Sequence, residues 1–341
     1  MQENNLNFKN VFIIAEIGVN HNGDLSLAKE MILKAKNAGA DAVKFQTFSA
    51  DKLASLNTPK VKYQIDKNNK EESHHQMLKN LELSFDDHFS LNGFCKENKI
   101  IFLSTPYDIE SAKFLHKDLN VPFFKTASAD IVDIPLQKYI ASTLKPCIVS
   151  TGMSTLSEIE KVYQIYRGER IAFLHCISSY PCSDTSLNLN VIKTLINLFK
   201  VPIGFSDHSL GSEAALSSVA LGAKIIEKHF TTDKLLSGPD QKTSCNPDEF
   251  KILVKQIRRV EKMLGSPLKK LQKEEIDMLN TSRKTLHTIK DIKKNQIISE
   301  DDLELKRPGT GLSYDFIDFF IGKRANKELK TGHKIFLGDV C

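Results

Sequence analysis

The stretch VPIGFSDHSLGSEAALSSVALGAKIIEKHF, residues 201–230, reads as strand, helix, strand. Val201–Phe205 is a short β-branched and aromatic run, Ser212–Leu221 has helical spacing, and Lys224–Ile226 opens a second strand. A strand, a crossover helix and a returning strand make a βαβ unit with parallel neighbours. Working outward, six more apolar runs precede it: Val11–Ala15, Ala42–Phe45, Ile100–Leu103, Pro122–Phe124, Cys147–Val149 and Ile171–Leu174. Helical patterns fill most of the gaps. In Leu25–Ala38 the residues Ala28, Met31, Ile32 and Ala35 share one face, and Ile109–Leu115, Ile134–Ser142, Leu156–Tyr166 and Leu189–Phe199 follow. Pro135 falls in a first turn, where its missing N–H is not needed. Eight strands alternating with helices predict a (β/α)8 barrel, an α/β fold, over residues 1–264. A doubly wound open sheet is the alternative.

One gap is too long for a simple connection. Residues 49–80, between Phe48 and Leu81, are polar and contain Pro59, so they read as an insertion with some helix. It follows the second strand, on the face where long insertions serve active sites. After the amphipathic Glu249–Leu264 come a charged linker, 265–282, and a small module, 283–341, with turns at Lys294-Asn295, Pro308-Gly309 and Thr331-Gly332.

Composition narrows the function classes. The 341 residues are 41% hydrophobic and 26% charged, which excludes a disordered chain, a collagen and a coiled-coil rod. The net charge of +5 is spread along the chain, without the basic stripe of a nucleic-acid binder. No apolar run approaches the ~18 residues of a membrane span. The six cysteines include no CxxC pair, and the amino terminus has no basic start followed by an apolar stretch. The expectation is a cytoplasmic enzyme with neither nucleic acid nor membrane as partner.

Barrel enzymes place their chemistry where strands end. The runs stop at Glu16; Lys44 and Gln46; Ser104 and Thr105; Lys125 and Ser128; Ser150 and Thr151; His175; Ser206, Asp207 and His208; and Glu227, Lys228 and His229. Lys44 and Lys125 offer cations to a phosphate or carboxylate, and Thr105, Ser128, Ser150 and Ser206 offer hydroxyls to the same anion. His208 and His229 come from neighbouring strands and can converge on a divalent metal, with water and substrate oxygens completing its shell. Glu16 can serve as acid or base. Plainer readings stand beside these. A lysine at a strand end is often a solvated charge, and His175 reads as structural. Ser206, Asp207 or Asp133 can cap a helix. Cys176 follows His175, but adjacent strand residues face opposite ways, which disfavours a thiol–imidazole nucleophile.

These residues sit in longer strings: AEIGVNHNGD (15–24), KFQTF (44–48), STP (104–106), STGM (150–153), HCISSYP (175–181), GFSDHS (204–209), EKHFT (227–231), SGPD (237–240) and KRPGTG (306–311). In this order they resemble the sialic acid synthases, which include the N-acetylneuraminate, legionaminate and pseudaminate synthases. The resemblance implies a (β/α)8 TIM barrel followed by an antifreeze-like (SAF, β-clip) domain. It also implies a domain-swapped homodimer. The implied reaction joins phosphoenolpyruvate to an N-acylated mannosamine-type amino sugar, releasing phosphate, with Mn2+ or Mg2+ required. Carried over by residue, His208 and His229 hold the metal. Lys44, Thr105, Lys125, Ser128, Ser150, Ser178 and Ser206 match the phosphoenolpyruvate site. Glu16, Gln46, Tyr180 and Asp240 match sugar-binding positions, and Arg307 is the arginine delivered to the neighbouring chain's sugar.

Two departures stand out. Ser128-Ala129-Asp130 replaces a Ser-Gly-Glu pattern, so the acid–base role is shared in expectation between Glu16 and Asp130. Ser178 stands where some relatives carry Asn. The product is N-acetylneuraminate or a close nonulosonate. N,N'-diacetyllegionaminate, from 2,4-diacetamido-2,4,6-trideoxymannose, is the alternative. A Schiff-base pyruvate aldolase using Lys44 or Lys125 and a non-catalytic carbohydrate-binding protein are the more distant rivals.

Overall fold

A computed structural model describes residues 6, 8–60 and 73–341. They divide into two compact units, Met1–Gly265 and Ser266–Cys341. The first is built on eight strands: β1 Phe12–Gly18, β2 Ala42–Thr47, β3 Ile101–Pro106, β4 Phe124–Thr126, β5 Cys147–Ser150, β6 Ile171–Cys176, β7 Ile203–Asp207 and β8 Ile225–His229. All pairings are parallel and run in the order β3-β2-β1-β8-β7-β6-β5-β4, with β3 facing β4 across the seam. This is the TIM barrel.

The helices are α1 Leu25–Asn37, α2 Ala50–Leu53, α3 His74–Leu81, α4 Phe85–Glu97, α5 Ile109–Lys117, α6 Ile134–Ser142, α7 Leu156–Ile165, α8 Val191–Phe199, α9 Glu213–Ala220 and α10 Pro247–Leu264. Several are started by side-chain oxygens that satisfy otherwise orphaned N–H groups: Asp24 before α1, Ser84 before α4, Asp108 before α5, Asp133 before α6 and Thr155 before α7.

Alternation along each strand sorts side chains between two apolar regions. In β1, Ile13, Ala15 and Ile17 face the helix layer, with Val43, Phe45, Phe173 and Phe205 from other strands. Phe12 and Ile14 face the bore, with Ala42, Leu103, Ile148, Ala172, Leu174 and Ile225. Phe8 closes its lower end by stacking on Phe12, ring centroids 4.1 Å apart. Gly204 belongs to this packing, since a Cβ there would stand 2.4 Å from the Ile225 carbonyl oxygen.

Three expectations are revised. Sequence reading ends the last strand at Ile226, whereas β8 continues to His229 with every residue buried. Sequence reading finds no helix at 85–97, yet α4 lies there; it turns His88 and Asn92 inward, which breaks the apolar period. Asp207 caps no helix. It accepts from Lys228 Nζ at 2.6 Å and from the N–H and hydroxyl of Ser209. The described part of the insertion after β2 forms α2 and α3; the rest of that call, residues 61–72, lies outside the described residues.

In the second unit β9, Thr285–Thr288, pairs antiparallel with β10, Leu303–Lys306, around a small core that includes Leu286, Ile298, Phe320 and Ile335. The stretch read as linker holds α11, Ile276–Ser282, with no buried residue.

Candidate active site

The alternation that fills the bore with apolar side chains changes character at the carboxyl ends of the strands. Two residues beyond Ile14 the same face carries Glu16; beyond Ala42, Lys44 and Gln46; beyond Leu103, Thr105; beyond Ile148, Ser150; beyond Ile225, Glu227 and His229. Lys125 in β4 and Ser206 in β7 join them, and all but Gln46 are buried. Their clustering is therefore a consequence of strand register rather than of any loop.

At the centre lie two cations and two carboxylates. Lys44 Nζ is 2.9 Å from Glu16 and 3.7 Å from Glu227, and Lys125 Nζ is 3.6 Å from Glu227. Lys44 donates to Thr105 Oγ1 at 3.0 Å, Lys125 to Ser150 Oγ at 2.6 Å, and Ser206 Oγ to Glu227 at 3.0 Å. The two carboxylates are driven apart. Burial pushes Glu16 up to about 7, with Lys44 opposing and Glu227 assisting. Burial also pushes Glu227 upward, but Lys125, Lys44 and the Ser206 hydroxyl outweigh it and hold the group at about 2. Glu227 is thus a fixed anion, and Glu16 is poised to exchange a proton near neutral pH.

A cavity of about 480 Å3 opens over this cluster, within the roughly 300–1,000 Å3 range of small-molecule sites. Glu16, Lys44, Gln46, Lys125, Ser128, Ser150, Ser178, Tyr180, Ser206, His208, His229 and Asp240 all line it. Three expected residues are placed otherwise. Thr105 is fully buried beneath Lys44 and meets the cavity only through it. Asp130 is not on the wall, although Ser128 and Ala129 are. One of its carboxylate oxygens is buried without a partner, and burial, then Asp133, raises it to about 7. Arg307 is exposed on the second unit.

The imidazoles of His208 and His229 lie with ring centroids 5.5 Å apart, and Tyr180 sits 4.1 Å from the His208 ring. His208 Nδ1 donates to the Ile177 carbonyl at 2.7 Å, and its Nε2 lies 3.4 Å from Ser206 Oγ. His229 Nδ1 is buried without a hydrogen-bond partner, with Asp240 3.8 Å away. Burial and the neighbouring His208 hold His229 well below its usual range, so it is neutral. Among the described residues no group of three or more His, Cys, Asp or Glu is arranged to hold a metal. Two imidazoles on adjacent strands with a second-sphere carbonyl nevertheless suit a divalent ion whose other ligands are water and substrate oxygens.

His175, as expected for a structural residue, bonds the Leu187 carbonyl at 2.7 Å. Sequence reasoning gave no role to Glu227, although it precedes His229 by two and so shares its face. It also passed over Gly152, whose N–H donates to Ser128 Oγ at 2.9 Å in the wall of the cavity. Cys176 does not pair with His175, but its sulfur approaches His208 Nδ1 at 3.7 Å across strands, a contact no local pattern announces.

Known proteins of similar sequence and structure give the chain a family. The NeuB family model matches residues 31–269, and the SAF domain model matches 283–340. The chain is 44% identical to the N,N'-diacetyllegionaminic acid synthase of Campylobacter jejuni, over 96% of this chain and 99% of that one. It is 43% identical to the enzyme of the same name from Legionella pneumophila, covering 94% and 92%. The solved structure of an N-acetylneuraminic acid synthetase from Leptospira borgpetersenii, in complex with citrate, superposes with a TM-score of 0.72 at 36% identity, covering 79% and 90%. The chain belongs to the NeuB family and carries a SAF domain.

Proposed function

We propose that this chain is a nonulosonate synthase: a transferase that condenses phosphoenolpyruvate with the open-chain form of an N-acylated mannosamine-type sugar and water, giving a nine-carbon 2-keto sugar acid and phosphate. The observation that carries the reading is the meeting, in one cavity, of two buried lysines and four serines suited to a phosphorylated anion with two imidazoles on adjacent strands.

Lys44 and Lys125 bind the carboxylate and phosphate of phosphoenolpyruvate, and Ser128, Ser150, Ser178 and Ser206 donate to its oxygens. Glu227 keeps both ammonium groups charged and in place before the anion arrives. C3 of the bound enol phosphate attacks the aldehyde carbon, leaving a cation at C2 that the enol oxygen stabilises. Aligning these two carbons supplies much of the rate. Glu16 donates a proton to the new hydroxyl and, once ionised, can take one from the water that adds at C2. The tetrahedral intermediate then expels phosphate with C–O cleavage. A divalent metal, Mn2+ or Mg2+, held by His208 and His229 supplies Lewis-acid polarisation of the aldehyde when bound. Gln46, which donates to Glu16 at 3.3 Å, and Asp240 face the sugar. The proposal includes a cytoplasmic homodimer in which Arg307 of each chain reaches the sugar bound by the other. The free cysteines fit a reducing compartment.

A phosphate-release assay tests the reading. Turnover should require both phosphoenolpyruvate and the sugar and should stop on chelation. Activity that survives chelation contradicts the metal role. A borohydride-trapped lysine adduct with pyruvate would replace the whole reading with a Schiff-base aldolase.

A further inference from the structure

Residues 232–244 leave the barrel after β8 and return to it. Backbone pairing closes the base of this loop: Thr231 N–H donates to the Cys245 carbonyl at 2.9 Å, and Cys245 N–H to the His229 carbonyl at 2.8 Å. The loop brings Asp240 back onto the cavity wall, 3.8 Å from His229 Nδ1. Its buried residues are Asp240, Gln241 and Ser244, all polar. No buried apolar side chain of the loop therefore sets where Asp240 stands.

Hydrogen bonds to the turn between β1 and α1 set it instead. Asn22 Nδ2 donates to the Ser237 carbonyl at 2.8 Å. Gln241 Nε2 donates to Asn22 Oδ1 at 3.1 Å and to the Asn20 carbonyl at 3.3 Å. Asn20 Nδ2 donates to Ser244 Oγ at 2.9 Å, and that hydroxyl donates on to the Asp240 carbonyl at 2.7 Å. The amides of Asn22 and Gln241 close over Gly238, where a Cβ would stand 2.4 Å from Gln241 Oε1 and 2.7 Å from Asn22 Oδ1. Hydrogen bonds are directional where apolar contact is not, so this network fixes orientation as well as place. It is also costly, since Asn20 Oδ1, Gln241 Oε1 and Asp240 Oδ1 are buried with no hydrogen-bond partner among the described residues. Buried polar groups left short of partners call for a purpose other than stability.

We propose that Asn20, Asn22 and Gln241, none of which lines the cavity, are positioning residues for the sugar: they hold the loop so that the Asp240 carboxylate stands ready to accept from sugar hydroxyls before the sugar arrives. The inference rests on the reading of the chain as a nonulosonate synthase with Asp240 facing the sugar. A carboxylate already fixed in place costs no ordering when the sugar binds, and misplacing such a group by about 1 Å can cost a factor of about 100.

The test uses substitutions that leave Asp240 itself intact. Asn22 has a left-handed backbone, φ 53°, which glycine adopts freely, so Asn22→Gly removes both of its side-chain hydrogen bonds without straining the turn. Phosphate release by the full chain is measured with Mn2+, phosphoenolpyruvate and N-acetylmannosamine or its 2,4-diacetamido-2,4,6-trideoxy counterpart, whichever turns over faster. Asn22→Gly should raise the KM for the sugar about tenfold, while kcat and the KM for phosphoenolpyruvate move less than about threefold. Gln241→Met should do the same, and melting curves establish that each variant is folded at the assay temperature. The deciding measurement is the cycle with Asp240→Asn. Residues that act through Asp240 lose their effect once its charge is gone, so Asn22→Gly in that background should change the sugar KM less than about twofold. Full additivity would overturn the inference while leaving the synthase reading intact. So would a sugar KM that neither substitution moves, or a KM for phosphoenolpyruvate that rises equally. No phosphate from the wild type with either sugar would overturn the synthase reading, and this inference with it.

Discussion

Replacing Gly152 by Ala isolates the phosphate side of the cavity. Gly152 follows β5, and its φ lies outside the left-handed region, so alanine adds no backbone strain. The cost is steric. A Cβ there would stand 2.3 Å from Ser178 Oγ and 2.9 Å from Ser128 Oγ. Both contacts are shorter than real carbon–oxygen packing allows, so the two hydroxyls must turn away from the positions they hold on the cavity wall. A hydrogen bond to a charged group contributes about 1.5–3 kcal/mol, and losing one such bond weakens binding about 10- to 150-fold. Gly152→Ala should therefore raise the KM for phosphoenolpyruvate by that factor. The KM for the sugar should move less than about threefold, because the serines do not face it. Thermal stability should hold or rise slightly, since alanine restricts the unfolded chain. Adding Ser178→Ala should cost little more, because the hydroxyl is already displaced. Steady-state kinetics with each substrate varied, together with melting curves, read all of these. An unchanged KM for phosphoenolpyruvate with the melting temperature intact would refute the assignment of Ser128 and Ser178 to the phosphate.

Other substitutions separate the carboxylates. Glu16→Gln removes the group held near neutrality and should lower kcat about 10²- to 10⁴-fold, whereas Asp130→Asn, off the cavity wall, should cost less than about tenfold; the reverse order would make Asp130 the acid–base group. Asp130 also makes stability depend on pH. Its folded pKa of about 7 lies above the ordinary 3.8, so the folded state keeps a proton that the unfolded chain releases, and stability falls as pH rises between those values. The ceiling is about 4 kcal/mol, and solvent reaching a half-buried carboxyl reduces it to about 2. Asp130→Asn should therefore melt above wild type at pH 8 and level with it at pH 4, and parallel curves would contradict the burial argument. Glu227→Gln leaves Lys125 without its carboxylate. It should destabilise the free enzyme by about 3–5 kcal/mol, and phosphoenolpyruvate should raise its melting temperature more than it raises that of wild type.

The barrel was legible because its strands are buried on both faces and separated by regular helical spacing. What blurred it were the functional residues themselves. Glu227, Lys228 and His229 read as the end of a strand because they are polar, yet they are its buried last residues, with Glu227 and Lys228 held by partners on β2, β4 and β7 that only the closed barrel provides. His88 hid α4 in the same way: its ring is satisfied by Thr47 and the Ser84 carbonyl, neither of which a helical period reveals. Thr105 was legible as a strand end but not as a residue lying under Lys44, since depth in the bore depends on stagger between strands. Glu16, Lys44, Lys125 and the two histidines were found because each closes an apolar run. Gly152 carries no side chain to notice, and the apolar residues of the insertion looked like any other surface helix until α2 and α3 were seen to share one cluster.

The reaction itself is tested most directly by oxygen fate. Turnover in ¹⁸O-labelled water, with the released phosphate analysed by mass, reports which bond breaks, because label in the keto acid can exchange afterwards while phosphate retains what it receives. Addition of water at C2 followed by C–O cleavage predicts phosphate free of label. Phosphate carrying ¹⁸O would mean that water attacks phosphorus, and it would contradict the account.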